Sequence, residues 1–350
     1  MLFQKKNKGF FVELNDHSVL FARTSAPVAP FVIEEMRECS PNDAAELAAV
    51  IGQLQPKKGP SGYLHATVSI FPPKRIIRRH TIETKRVREN GYISEICTQQ
   101  FRIDQDKYVL AMLNANDGQD CDTTRAAQKD VMFCGLPIED ANTIQSSLLG
   151  SGIYPERLEL GSVATLGGVV DWLAQNKSKS SVLVLEIGAD AVNSFIVTAG
   201  GVEASRPIGQ GVDAMVPIVQ KELGLKDEES ARKLFFSNTF DFTGMGPLLI
   251  KRLLKELQSS IGFYEVQTGQ SVGQVFCTQL SPKLQWLDGA IASSLGITSV
   301  RPDLQSWLQA RQIILPENLA SHAQEARWFG LLALMAQYDA EHAVPAEEKK

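Results

Sequence analysis

The stretch LVLEIGADAVNSFIV, Leu183–Val197, decides the fold. It reads as an apolar strand carrying Glu186 near its end, a polar turn Gly188–Asp190, and a second apolar strand from Val192 to Thr198. β-branched and aromatic residues on either side of a Gly/Asp turn are hairpin chemistry. The Gly200-Gly201 turn and the strand Val202–Pro207 follow. The whole of Ser181–Gly211 therefore reads as a strand–turn–strand cradle of the kind that holds phosphate, since glycine lets backbone approach an anion.

The same unit occurs once before. FFVELNDHSVLFAR, Phe10–Arg23, again runs apolar strand, Glu, polar turn, apolar strand, here with Glu13 and the turn Asn15-Asp16-His17. A duplicated hairpin with a helix (Ser162–Asn176) between the copies predicts two similar lobes around a cleft.

The elements between and beyond the hairpins follow from periodicity. Pro30–Met36 and Tyr63–Phe71 read as strands, the latter by strict alternation of Leu64, Ala66, Val68 and Ile70 with polar residues. Ala44–Leu54 carries Leu47, Val50, Ile51 and Leu54 at helical spacing. Pro56–Gly62 reads as a loop, Tyr92–Asn114 as strands ending in the loop Ala115–Thr124, and Asp130–Cys134 as a short strand. Pro137 opens a helix through Leu149, and Tyr154–Leu160 returns as a strand. After the second hairpin come a helix Val212–Leu223 and an amphipathic stripe from Ile250 to Tyr264. The strand Val272–Thr278 and the helix Trp286–Leu295 follow, the helix stopped by Gly296. Ala323–Ala336 is apolar on all sides and predicts a buried helix, and Val344–Lys350 a frayed tail.

Composition removes several classes of function. The 350 residues carry a net charge of −5, which argues against a nucleic-acid protein. No apolar run approaches the ~20 residues of a membrane-spanning helix, and the first residues lack a secretory pattern. The five cysteines are scattered and the five histidines show no zinc spacing, so neither disulfides nor metal are predicted. The basic run Pro72–Asn90 (Lys74, Arg75, Arg78, Arg79, Lys85, Arg86, Arg88) could meet an anionic membrane or acidic partner. The plainer reading, a solvated face of a strand and helix, weighs more because Ile76, Ile77 and Ile82 sit among the charges.

On these hairpins, the strand–helix–strand insert near Tyr92–Leu160, the long helix before Val272–Thr278 and the final apolar helix, the chain resembles the actin-like ATPase-fold family. It is most similar to the PilM-type pilus assembly proteins, with FtsA-type cell-division proteins more distant. The resemblance implies an α/β, two-lobed actin-like ATPase (ribonuclease H-like) fold with an inserted subdomain in the first lobe. It places the first lobe at 1–178 with the insert at about 81–160, the second at 179–310, a C-terminal segment at 311–342 whose helix returns to the first lobe, and a flexible tail at 343–350. In such a fold the hairpins grip ATP and Mg2+ through a strand-end carboxylate, a glycine and small hydroxyl residues, with a lysine closing the first hairpin. The matching candidates are Glu13 and Asn15 in the first hairpin and Glu186, Gly188, Ala189 and Asp190 in the second.

The match departs from that pattern at each motif. Asn15 replaces the glycine, Leu20 the lysine and Asn193 a hydroxyl residue, while Asp16 and Asp190 add negative charge that opposes polyphosphate. The adenine-side glycine pair is replaced by Gln279-Leu280-Ser281-Pro282. The expectation is thus no catalytic residue, no metal, and no firmly bound cofactor, with weak ATP and Mg2+ binding left open by Glu13 and Glu186. The resemblance implies a cytoplasmic scaffold, peripheral to the inner membrane, of a type IV pilus or type II secretion-like assembly. It would bind the N-terminal peptide of a PilN-like inner-membrane protein, near Tyr63–Phe71 and Tyr92–Asn114. The alternative is an ATP-binding actin-like ATPase, a sugar-kinase relative or an FtsA-like division protein, with Asp190 or Asp213 as a base. Both acids read more simply as a turn acid and a helix N-terminal acid.

Overall fold

The computed structural model describes residues 8–55, 62–122, 129–237 and 239–337. The expected tail Val344–Lys350 and all but the last residue of the loop Pro56–Gly62 lie outside them. Among the described residues the strands are β1 (Gly9–Leu14), β2 (Val19–Thr24), β3 (Phe31–Cys39), β4 (Leu64–Ile70), β5 (Ile76–Thr81), β6 (Tyr108–Asn114) and β7 (Asp130–Pro137). They continue as β8 (Ile153–Leu160), β9 (Ser181–Ile187), β10 (Val192–Thr198), β11 (Gly201–Ile208), β12 (Val272–Thr278), β13 (Thr298–Ser299) and β14 (Ile313–Ile314). Two compact units result. The first comprises the described residues up to Phe71, Asp140–Gly168 and those from Pro302; the second comprises Pro72–Glu139 and Val169–Arg301.

The first unit holds a six-stranded sheet in the order β14-β3-β2-β1-β4-β8. β2 lies between β1 and β3 and is antiparallel to both, while β4 joins β1, and β8 joins β4, in parallel. Parallel pairing needs crossover connections, and helices supply them. Ala44–Leu54 links β3 to β4; Asp43 caps it by accepting from the N–H groups of Ala45 and Glu46, and Val50, Ile51 and Leu54 are buried. The last helix, Phe329–Ala336, is buried at every residue and lies against β1 and β2. Phe329 stacks on Trp307 at 6.1 Å. Each such fully buried large side chain contributes about 1.5–3 kcal/mol.

The second unit repeats the plan. Its five-stranded sheet runs β11-β10-β9-β12-β13, with β9, β10 and β11 antiparallel and β12 and β13 parallel additions. Order and direction match β3-β2-β1-β4-β8 strand for strand, so the hairpin repeat seen in the sequence is the visible part of a duplicated sheet. The helix Lys251–Thr268 joins β11 to β12; it buries Leu253, Leu257 and Tyr264 and stops at Gly269, whose φ is 69°. Tyr264 fixes the start of β9 through a buried bond between its hydroxyl and that of Ser181, 2.9 Å.

The same unit carries a three-stranded antiparallel sheet, β5-β7-β6, built from the chain between β4 and β8. Ile82, Val87, Tyr92, Ile96, Val131 and Phe133 form its core. Edge strand β5 seats on β11: the Arg79 N–H donates to the Ser205 hydroxyl at 2.7 Å. Beyond β6, the Val202 N–H donates to the Ala115 carbonyl at 2.9 Å.

Two expected elements differ. Tyr92–Asn114 is not strand at its start: Tyr92–Ile96 is α-helix, Cys97–Phe101 continues it as a π turn, and only Tyr108–Asn114 is strand. Tyr92 and Ile96 both enter the small core while Ser94, which alternation would set on the same face, is exposed, as a helix requires. The helix expected over Ala323–Ala336 is α-helical only from Phe329. Glu325 breaks it, with extended backbone at φ −102° and ψ 117°, and its carboxylate accepts from Arg327 at 2.7 Å. Arg327 also pairs with Glu38 of β3.

Candidate functional site

Glu13 on β1 and Glu186 on β9 occupy matching places in the two sheets. Each is 1% exposed. Each faces a buried hydroxyl residue on the next parallel strand, Ser69 beside Glu13 and Thr278 beside Glu186. In the first sheet the row continues to Glu159 on β8, in register with Ser69. Burial pushes the Glu159 carboxyl up from its ordinary value, partly offset by Arg157. These neighbours escape a linear reading because register, not spacing, brings them together.

In the first hairpin, Asn15 closes the turn on itself. Its Nδ2 donates to Glu13 Oε1 at 3.3 Å. Its Oδ1 accepts from the N–H groups of His17 and Ser18, both at 2.9 Å. This is an Asx turn, in which the amide oxygen takes the tip donors an anion would otherwise use. Asp16 stands exposed at the tip. The Glu13 carboxylate lies against Gly330 in the first turn of Phe329–Ala336, so closely that a Cβ there would collide with Oε2. A helix N-terminus favours negative charge, and glycine at 330 leaves this carboxylate room.

The second hairpin is latched in a different way. The Gly188 N–H donates to the Ala191 carbonyl at 3.0 Å. The carbonyls of Gly188, Ala189 and Asp190 accept from the N–H groups of Val212, Asp213 and Gly211 at 3.0–3.1 Å. A Cβ on Gly211 would strike the Ala189 carbonyl, so the close approach requires glycine there. The N–H groups of Gly211, Val212 and Asp213 are thus engaged by the hairpin. Asp190 is exposed at the tip. Asp213 pairs with Arg232 at 2.6 Å.

Glu186 itself is bound by Arg75, Nη2 to Oε2 at 2.7 Å, with side chains 9% and 1% exposed. Removing one partner of such a buried pair costs about 3–5 kcal/mol. Arg75 departs from the solvated face expected of the basic run, whereas Lys74, Lys85 and Arg88 are exposed as that reading has them. Arg79 pairs with Asp130 at 3.1 Å, and Arg86 with Glu95 at 2.8 Å and Glu89 at 3.0 Å while lying over the Tyr92 ring. These arginines serve the unit's own carboxylates.

At the adenine-side position, β12 is followed by Gln279 at φ 62°, a left-handed conformation that glycine would adopt without strain. Leu280 turns into the core of the second unit, beside Leu284 and Leu287.

Two sheets of one topology, each opened by an acid-bearing hairpin, define the actin-like ATPase fold. A chain of a solved structure described as "PilM-PilN type IV pilus biogenesis complex" matches 95% of this chain and 99% of that chain, with a TM-score of 0.67 and 16% identity. Looser matches are the ethanolamine utilization protein EutJ from Carboxydothermus hydrogenoformans (11% identity, 95% and 90% covered, TM-score 0.44) and a Bacteroides thetaiotaomicron protein with actin-like ATPase fold (9%, 96% and 98%, 0.44). No family model and no curated protein matches the sequence. The likeness therefore shows the fold, PilM-like in form.

A magnesium nucleotide in this fold would need the two carboxylates, open tip donors and a bare backbone at the adenine. Here Glu186 holds a guanidinium, Glu13 lies against a helix, and Asn15 and the Gly211–Asp213 loop take the tip groups. The groups that each hairpin would offer are engaged within its own unit, so the residues present fit that ligand poorly.

Proposed function

We propose that this chain is a scaffold of a type IV pilus or type II secretion-like assembly, working without ATP hydrolysis. It binds a short cytoplasmic peptide of an inner-membrane partner resembling PilN, and sits on the cytoplasmic side of that membrane. The observation that carries this reading is the match to a PilM-PilN complex over nearly all of both chains. The internally engaged hairpins support the absence of hydrolysis. Among the described residues no helix is long and apolar enough to cross a membrane, so attachment would come from the partner. A second reading, weak ATP and Mg2+ binding, is favoured by Glu13 and Glu186 at matched positions and by the retained Gly188.

The test uses synthetic N-terminal peptides of the single-span membrane proteins encoded beside this chain's gene. Fluorescence anisotropy should show saturable binding of one of them, and magnesium-ATP should leave the unfolding midpoint unchanged. The opposite pattern would sink the scaffold reading: no peptide bound, with magnesium-ATP stabilising by about 2.7 kcal/mol at a hundredfold excess over Kd.

A further inference from the structure

We propose that Arg75 is the resident cation of the second hairpin, and that it makes this hairpin and the three-stranded sheet a single coupled device. A hydrated divalent ion or its nucleotide can reach Glu186 only by displacing the guanidinium, and that displacement releases the sheet's first anchor. The inference holds whichever partner the chain serves.

The device is built before it is used. Pro72-Pro73-Lys74-Arg75 forms a tight turn in which the Arg75 N–H donates to the Pro72 carbonyl at 3.0 Å. Pro73 stands at the turn's second position, where its fixed φ is preorganised. Arg75 Nη1 donates to the same carbonyl at 3.1 Å, which leaves Nη2 to bind Glu186 Oε2 at 2.7 Å. The fork is therefore held by its own backbone and aimed at the carboxylate, so little side-chain freedom is lost in making the pair.

The charge logic is that of substitution. A carboxylate this buried requires a positive partner. A hydrated divalent ion and a guanidinium both meet that need, and as like charges they exclude each other beside one carboxylate. Lysine would not replace Arg75, because an ammonium lacks the planar geometry that binds Pro72 and Glu186 together.

The coupling follows from what lies just downstream. Four residues past Arg75, the Arg79 N–H bonds to Ser205 on β11, and the Val202 N–H on β11 bonds to Ala115 past β6. Glu186, Arg75, β5 and β11 thus form one connected set. Loss of the ion pair should loosen the seat of the three-stranded sheet on β11.

The probe is Mn2+ alone, titrated into the full chain and followed by paramagnetic broadening and by hydrogen exchange. In the wild-type chain, millimolar Mn2+ should leave Gly188 and Thr278 unbroadened. Arg75→Gln should bind Mn2+ roughly tenfold or more tightly, and its Arg79 and Val202 amides should exchange faster by a similar factor. Adding Glu186→Gln should abolish the Mn2+ gain. Should Arg75→Gln not fold, Arg75→Gln/Glu186→Gln is expected to restore folding, because it removes the stranded charge. Arg75→Lys should show the faster exchange without any Mn2+ gain. Equal Mn2+ affinity in wild type and Arg75→Gln, a gain that survives loss of Glu186, unchanged amide exchange, or a doubly substituted chain that also fails to fold would each overturn the proposal.

Discussion

Gly330 and Gln279 show how single positions answer to their immediate surroundings. Gly330 is glycine because the Glu13 carboxylate fills the space of its Cβ. Gly330→Ala should destabilise the chain by about 1–3 kcal/mol in urea unfolding, since the buried Glu13 carboxylate would have to leave its place against the helix. Glu13→Ala in the same chain should recover about 1 kcal/mol of that loss as a coupling energy. Gln279 is the converse case. Its left-handed backbone costs about 1–2 kcal/mol, and its Nε2 is buried without a hydrogen-bond partner among the described residues. Glycine there gives back about 0.5–1 kcal/mol through its freer unfolded chain. Gln279→Gly should therefore stabilise by about 1 kcal/mol, read as a higher denaturation midpoint at unchanged slope.

At the scale of elements, the row Glu13–Ser69–Glu159 runs across the carboxyl ends of three parallel strands. Glu159 has the consequence that can be measured. Its folded carboxyl is held above its ordinary value by burial. The unfolded chain thus loses this proton first, and between the two values the folded state binds more protons. Stability from this group falls as pH rises through that window and stays lower above it. Glu159→Gln should remove that slope and raise stability at neutral pH, as followed by unfolding midpoints from pH 4 to 8. A flat profile in the wild-type chain would show that the strand-end carboxyl is not desolvated.

For the molecule as a whole, thiol chemistry reports which surfaces are closed. Cys39, Cys97, Cys134 and Cys277 are buried and Cys121 is half-buried. Burial pushes the Cys134 thiol up to about 12, and burial with nearby acids pushes Cys39 up to about 11. Burial and Asp122 push the Cys121 thiol up as well, but it alone is partly exposed, so native alkylation at pH 8 should label Cys121 first and the other four only on unfolding. Cys121→Ser should abolish the fast phase, with mass spectrometry locating the label. Two fast sites would mean that one of the buried elements opens in the native state.

Much was legible without coordinates. The hairpins Phe10–Arg23 and Leu183–Val197, the helix Ala44–Leu54 and the Gly296 stop follow from alternation, helical spacing and turn residues, which act over a few positions of chain. The places of Glu13 and Glu186 came with the hairpins. The break at Glu325 and the helix at Tyr92 were not legible, because an ion pair to β3 and entry into a small core decide them. Nor was the fate of the basic run: Arg75 meets Glu186 across 111 residues, and nothing local marks which arginine will be buried. The insert is visible in chain order between β4 and β8, yet its strands pack on β11. The sequence by itself determined the duplicated hairpin unit and the order of elements, since these rest on periodicity. Only the tertiary structure decided that the hairpins' acids are already engaged, one against Gly330 and one on Arg75, because partners of buried charges are chosen by register and packing.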